Sequence, residues 1–297
     1  MTIVFAIIVL AVLGAIFGCA LAIASKVFEV ETDPRFDQIM DCLPGANCGG
    51  CGFTGCAAAA NAIVDGKAGV GVCPVGGADC AAKIADVMGV EADASEPHVA
   101  FVKCNGGTNA KKKFEYIGVQ DCLAATKIGA GPLECNFGCL GFGSCVTACA
   151  FGAISIGENG SAVVDASKCT NCMACATACP RKLIVSVPAS KKVMVSCANK
   201  DKGVTARNVC DNSCIGCGLC VKECKFGAIS VVDGVAVIDY SKCKNCKLCS
   251  KVCPRDAIFP IATAEEKEKY KAIKKAQAEK AKAAAAEAAA KAAPAAE

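Results

Sequence analysis

Twenty-seven cysteines in 297 residues constrain this chain more than any other feature. Most of them fall into short, repeated spacings, and two stretches follow the same pattern of C-x2-C-x2-C-x3-C-P. These stretches run from Cys169 to Pro180 and from Cys243 to Pro254. Because sulfurs this close together must share a centre, the chemistry of these thiols decides how the chain can fold.

Disulfides, zinc sites and iron–sulfur clusters all use cysteine heavily. Disulfide frameworks belong mainly to short extracellular domains, and a C-x2-C-x2-C run places three sulfurs too close together to bridge one another. Zinc sites take two C-x2-C pairs or histidine partners, whereas triplets dominate here and His98 is the only histidine. The pattern therefore favours iron–sulfur clusters. Since aromatic residues make up only 5% of the chain, we expect the metal-free protein to be largely disordered.

The first 25 residues are apolar enough to predict a membrane anchor. Residues 2–25 carry no charge, and about 24 residues in a helix span roughly 36 Å. We predict a single transmembrane helix within residues 1–27. A cleaved signal peptide is the alternative, but no lysine or arginine precedes the apolar stretch. Because Lys26 and Arg35 follow it, we expect a single-pass protein of the cell (inner) membrane with most of the chain on the cytoplasmic side.

A small four-cysteine domain is predicted over residues 28–90. Three of its cysteines lie in a glycine-rich loop, and the fourth returns after an alanine-rich helix predicted at Ala57–Val64. Glycines let the backbone approach the sulfurs closely and point its amides at them. We interpret the four cysteines as ligands of one [4Fe-4S] cluster. They are Cys48, Cys51, Cys56 and Cys73.

After a connector predicted at residues 91–132, the chain repeats itself. Adding 75 to 122 or 135 gives the cysteine positions 197 and 210, and adding 74 to 169 gives position 243. Alternating stretches beginning at Ala162 and Val235 predict short strands in both copies. We therefore predict an α+β architecture with two tandem two-cluster ferredoxin-like modules. Module 1 covers residues 133–190, and module 2 covers residues 191–262.

The ligands of these modules follow from a rule of crossed ligation. In two-cluster ferredoxins, the last cysteine of each run ligates the other cluster. For module 2 the rule predicts one cluster on Cys214, Cys217, Cys220 and Cys253, and another on Cys224, Cys243, Cys246 and Cys249. For module 1 it predicts a cluster on Cys149, Cys169, Cys172 and Cys175.

The other cluster of module 1 lacks a ligand, because Phe142 stands where module 2 has Cys217. Its remaining cysteines are Cys139, Cys145 and Cys179. We predict Cys135 as the fourth ligand, because it lies four positions before the first of them. The alternatives are Cys122 or a three-iron cluster. At least five [4Fe-4S] clusters are thus predicted, and a further alternative adds a sixth on Cys104, Cys122, Cys197 and Cys210.

The rest of the chain offers little chemistry. Thr263 and Glu266 predict a capping box that begins a helical, solvated tail over residues 263–297. The basic run Lys111–Lys113 is expected to be a solvated loop, with docking of an acidic ferredoxin as the alternative. Because no nucleotide-binding glycine motif, P-loop or acid–base pair is present, we expect no independent substrate chemistry and no nucleic-acid partner.

Taken together, the apolar span, the four-cysteine domain and the two modules resemble the B subunit of Rnf complexes. These complexes are ion-translocating membrane ferredoxin:NAD⁺ oxidoreductases. The most specific match is the stretch N-C-G-G-C-G-F-T-G-C over Asn47–Cys56. Corrinoid iron–sulfur proteins have a similar domain, but they should carry a long cofactor domain for which this chain has no room. The resemblance implies an electron-transfer subunit that accepts electrons from soluble ferredoxin and passes them to flavin-bearing and NAD-site subunits.

Overall fold

The computed structural model describes residues 2–27, 33–91, 96–273, 275, 276 and 279. Helix α1 spans Thr2–Val27, and its side chains are described at residues 11–25, where nearly all are exposed. Among the described residues, no helix is both long enough and apolar enough to cross a membrane. The transmembrane anchor therefore stays a prediction.

The four-cysteine domain is a bundle of three short helices. Helix α2 begins at Pro34, whose missing N–H suits a first helical position, and the preceding Asp33 accepts a hydrogen bond from the Arg35 N–H. Each helix contributes one isoleucine to the centre, and these isoleucines are at most 1% exposed. The predicted alanine-rich helix is present as α3. The helices are α2 Pro34–Cys42, α3 Cys56–Val64 and α4 Gly77–Met88.

The two modules have the same order of elements. Each contains an outer pair of antiparallel strands, an inner β-hairpin and three short helices. Those of module 1, the first two of which lie in the predicted connector, are β1 His98–Val102, α5 Cys122–Thr126, α6 Ser144–Thr147, β2 Ile154–Ile156, β3 Ala162–Val164, α7 Ala174–Ala178 and β4 Ile184–Pro188. In module 2 they are β5 Met194–Val195, α8 Gly203–Val209, α9 Leu219–Glu223, β6 Ile229–Val232, β7 Val235–Ile238, α10 Leu248–Val252 and β8 Ile258–Phe259.

The pairing of the outer strands brings distant parts of the chain together. Strand β1 lies in the predicted connector, yet it pairs with β4 from Val102 opposite Ile184 to His98 opposite Pro188. Strand β5 pairs with β8 in the same antiparallel sense. The residues that follow β1 are therefore held against module 1.

Small apolar cores support the modules, as expected for domains stabilised by metal. Leu183 and Ile184 centre one core, and Val193 and Ile258 centre the other; cysteines belong to both. Beyond module 2, residues 264–273 are helical. The capping box at their start is confirmed, because the Thr263 N–H donates to Glu266 and the Glu266 N–H donates back to the Thr263 hydroxyl.

Candidate iron–sulfur sites

The four-cysteine domain brings the Cys73 thiol close to those of Cys51 and Cys56, which starts α3. Asn47 accepts a hydrogen bond from the Cys56 N–H at 2.8 Å. The Gly76 N–H donates to Cys73 Sγ at 3.4 Å. Burial raises the pKa of the Cys73 thiol, the N–H groups of Gly76 and Val75 oppose this rise, and the charges of Cys51 and Cys56 add to it. We name the group site A, and it consists of Cys48, Cys51, Cys56 and Cys73, of which Cys48 is half-buried in the same loop.

Two glycines of the site A loop leave no room for a side chain. A Cβ on Gly55 would lie 2.8 Å from Asn47 Oδ1, the atom that accepts from the start of α3. A Cβ on Gly50 would lie 2.8 Å from the carbonyl oxygen of Cys172 in module 1. The glycines of this loop therefore serve close approach, and the second contact places site A beside the cysteines of module 1.

Module 2 contains two cavities that are each lined by four cysteines. The first, of about 380 Å³, is site D: Cys214, Cys217, Cys220 and Cys253. The second, of about 340 Å³, is site E: Cys224, Cys243, Cys246 and Cys249. The structure thus brings each last cysteine of a run to the other run, in the groups that crossed ligation predicts.

Module 1 repeats this arrangement at its first site. Burial, followed by the charges of Cys172, Cys169 and Cys149, raises the pKa of the Cys175 thiol to about 11. The Ala100 N–H of β1 donates to Cys169 Sγ at 3.3 Å. These four cysteines form site B.

The second site of module 1 groups its cysteines differently from the prediction. A cavity of about 400 Å³ is lined by Cys139, Cys145, Cys179 and, as the fourth cysteine, Cys122. Cys135, our predicted fourth ligand, lines a separate cavity. Burial, followed by the charges of Cys139, Cys122 and Cys179, raises the pKa of the Cys145 thiol to about 12. We name this group, with Cys122, site C.

Cys122 reaches site C because α5 is fastened to α6. The Ser144 hydroxyl accepts from the Cys122 N–H at 2.8 Å and donates to Asp121 at 2.7 Å. Asp121 also caps α5 by accepting from the Ala124 N–H. Phe142, which replaces a cysteine, instead lies against Tyr116 with ring centroids 5.1 Å apart. The fourth cysteine in this cavity therefore comes from a helix 20 positions earlier in the chain than Phe142.

The cysteine loops point backbone amides at the sulfurs. Left-handed residues recur at equivalent loop positions of the two modules, such as Asn171 and Asn245 at φ 55° and 56°. The Ala153 and Ala228 N–H groups each donate to a cysteine Sγ at 3.4 Å. Such loops form concave arrays of amides that bind anions. They suit thiolate ligands, and the chemistry of the donors fits [4Fe-4S] clusters.

A further cavity, of about 350 Å³, lies between the modules and matches the sequence prediction only in part. We name it the junction cavity. Its cysteines are Cys104, Cys135, Cys197 and Cys210, with Cys139 also in its wall. The cavity differs from our sixth-cluster alternative in one member, because Cys122 lines the cavity of site C and Cys135 lines this one. Within the described residues, no three histidine, cysteine or acidic side chains lie close enough to ligate a single metal ion.

Comparison with known families agrees with these sites. The 4Fe-4S dicluster domain family matches residues 134–183 and 213–257, once in each module. A family described by its Fe-S cluster matches residues 43–75, which contain site A.

Similar proteins cover most of the chain. The B subunit of the Na⁺-translocating ferredoxin:NAD⁺ oxidoreductase complex of Acetobacterium woodii is 48% identical over 84% of this chain and 75% of its own. The B subunit of the ion-translocating oxidoreductase complex of Methanosarcina acetivorans is 46% identical over 84% of this chain and 95% of its own. The proton-translocating counterpart in Clostridium ljungdahlii is 42% identical over 89% and 95%. The chain therefore belongs to the family of B subunits of Rnf-type ion-translocating oxidoreductase complexes.

Proposed function

We propose that this chain carries electrons within an Rnf-type complex, on [4Fe-4S] clusters held by sites A to E. The observation that carries the proposal is the set of cavities at sites C, D and E, each lined by four cysteines and each between about 340 and 400 Å³. When bound, such clusters supply carriers of single electrons. The chain's own residues would hold the iron and donate N–H groups to the sulfurs.

The thiols bind iron in competition with protons. Burial is the first cause of the raised pKa values of Cys145 and Cys249, which both reach about 12. In the metal-free fold these thiols are therefore protonated at neutral pH, and cluster insertion releases their protons. This cost of burying thiolates is offset by the amide groups that donate to sulfur.

Site E is where we place the contact with the electron donor, a soluble ferredoxin. Cys246 is exposed there, and Lys244 and Lys247 line the cavity and face solvent. Lys225 and Lys242 are also exposed, and they are the sequence neighbours of Cys224 and Cys243 of the same site. We call these four residues the lysine rim. A basic rim beside an exposed ligand attracts an acidic donor and raises the rate of encounter.

Charge reversal tests this placement. We expect the double substitution Lys244→Glu with Lys247→Glu to lower the rate of reduction by ferredoxin about tenfold at low salt, and less at high salt. The matched control reverses Lys111 and Lys112, which belong to the other basic run. Equal rates in the wild type and the lysine-rim variant, or a larger effect of the control, would place the donor elsewhere.

We also propose that residues 2–25 anchor the chain in the membrane, with sites A to E on the cytoplasmic side. The absence of charge from these residues supports the anchor, and Lys26 and Arg35 support the orientation. The full chain should stay with membranes in high salt, because salt does not screen apolar burial. Deletion of residues 2–25 should release it, and release of the full-length chain by salt would refute the anchor.

The function as a whole is tested by isolating the complex. Anaerobic purification from membranes through a tag on this chain should recover flavin-bearing and NAD-site subunits with it. Redox-titrated EPR should then detect several clusters that reduced ferredoxin can reduce. Recovery of the chain alone, without iron, would contradict the proposal.

A further inference from the structure

The junction cavity resembles the other sites in size and lining. Its volume of about 350 Å³ falls between those of site E, about 340 Å³, and site D, about 380 Å³. Cys135, Cys197 and Cys210 are each between 5% and 7% exposed, and Cys104 is half-buried. A hypothetical Cβ on Gly106 would lie 3.4 Å from Cys210 Sγ and 3.5 Å from Cys104 Sγ, so both sulfurs face the same small space.

Its sulfurs already accept hydrogen bonds from the backbone. Cys104 Sγ accepts from the Gly106 N–H at 3.4 Å and from the Cys139 N–H at 3.2 Å. Cys197 Sγ accepts from the Asn199 N–H at 3.5 Å and from the Cys214 N–H at 3.2 Å. Amides aimed at sulfur are the same feature that sites A, B and E show.

Two of these bonds join the junction cavity to both modules. The amide that donates to Cys104 belongs to Cys139, a member of site C. The amide that donates to Cys197 belongs to Cys214, a member of site D. A single residue in each module therefore belongs to that module's site and also donates its N–H to a sulfur of the junction cavity.

Two arginines in equivalent positions fasten the cavity from opposite modules. Arg181 Nη1 donates to the carbonyl oxygen of Cys135 at 2.9 Å. Arg255, 74 positions later, donates to the carbonyl oxygen of Cys210 at 2.8 Å. The side chain of Arg255 is 19% exposed, and Arg181 is half-buried. Partly buried cations beside four thiols suit a centre that carries negative charge.

We propose that the four cysteines of the junction cavity hold a sixth [4Fe-4S] cluster between the two modules. The inference rests on the proposed function of sites A to E and extends it. It gives the sites a single order: A adjoins B through Gly50 and Cys172, C adjoins the junction through Cys139, and the junction adjoins D through Cys214. Without the junction site, the two clusters of module 1 and the two clusters of module 2 would form two separate pairs.

The iron content of the full-length chain tests the proposal. In chain purified anaerobically with its native clusters, we expect about 24 iron atoms and about 24 acid-labile sulfides per chain, against about 20 of each for five clusters. The double variant Cys197→Ala with Cys210→Ala should lose about four irons and leave the EPR spectra of the other clusters unchanged. The matched control is Ser196→Ala, which alters the same cavity wall without removing a sulfur.

A single variant separates the junction cavity from site C. Cys135→Ala should change the junction cluster and leave the cluster of Cys139, Cys145 and Cys179 intact. Loss of that second cluster instead would overturn the assignment. A wild-type content of about 20 irons would refute the sixth cluster but not the other five. One zinc per chain that is lost in the double variant would show that the junction cavity is a zinc site instead. The wild-type count decides the matter even where the double variant fails to fold.

Discussion

We predict that Ser144 stabilises the cluster of site C although it supplies no ligand to it. Its hydroxyl accepts from the Cys122 N–H at 2.8 Å and donates to Asp121 at 2.7 Å. Ser144→Ala removes both contacts but no sulfur ligand. Because α5 then loses its bond to α6, we expect Cys122 to leave site C more readily.

The size of the effect follows from the amide. The Cys122 N–H is partly buried, and a buried donor left without an acceptor costs about 1–3 kcal/mol. Asp121 is half-buried and keeps its hydrogen bond from the Ala124 N–H, so the unpaired amide dominates the cost. A cost of about 1.4 kcal/mol corresponds to about tenfold faster loss of the site C cluster.

The assay follows iron release to a chelator under anaerobic conditions, with EPR to identify the cluster that is lost. The control is Thr126→Ala, which lies in the same helix but bonds only to the Leu123 carbonyl oxygen, at 2.7 Å. We expect the control to match the wild type. If Ser144→Ala also matches it, while Cys135→Ala abolishes the cluster, then Cys122 is not the ligand and the reasoning fails.

Other predictions follow from contacts at the remaining sites. Gly50→Ala should push site A away from Cys172, because the added Cβ would lie 2.8 Å from a carbonyl oxygen. The control is Gly69→Ala, where an added Cβ meets nothing within 4 Å. We expect slower electron equilibration of site A in Gly50→Ala only, and equal rates in the two variants would contradict this. Cys122→Ala should leave a three-iron centre at site C, detected by EPR, and an unchanged spectrum would count against the ligand. Acidification should speed bleaching of all clusters, because the metal-free thiols bind more protons than the ligated thiolates; a rate independent of pH would refute this.

Much of the site could be predicted from sequence because most ligands are local. Three cysteines of each run lie within one loop, and duplication supplies the crossed fourth. The structure groups Cys253 with site D and Cys224 with site E accordingly. The capping box at Thr263 is equally local.

The fourth cysteine at site C could not be predicted by nearness in sequence. Cys135 lies closer to Cys139, but its carbonyl oxygen is held by Arg181 and its thiol faces the junction cavity. Cys122 lines site C instead, because Ser144 of α6 accepts a hydrogen bond from the first N–H of α5. One signal was available: Ser144 corresponds to Leu219 in module 2, so module 1 alone has this hydroxyl.

The junction cavity depends on tertiary structure. Cys104 lies before the first cysteine that the repeat matches, and it reaches the cavity only because β1 pairs with β4 across more than 80 positions of the chain. Spacing cannot reveal such a contact. The sequence does show one related feature, which is the pair of arginines at equivalent positions of the repeat, Arg181 and Arg255.

The central claim is that this chain stores and passes single electrons on several clusters. A reductive titration of the full-length chain, purified anaerobically, tests it most directly. Each [4Fe-4S] cluster takes up one electron, so we predict an uptake of about six electrons per chain, with bleaching of the visible absorbance. An uptake of about five would remove only the junction cluster. A chain that takes up no electrons would contradict the account.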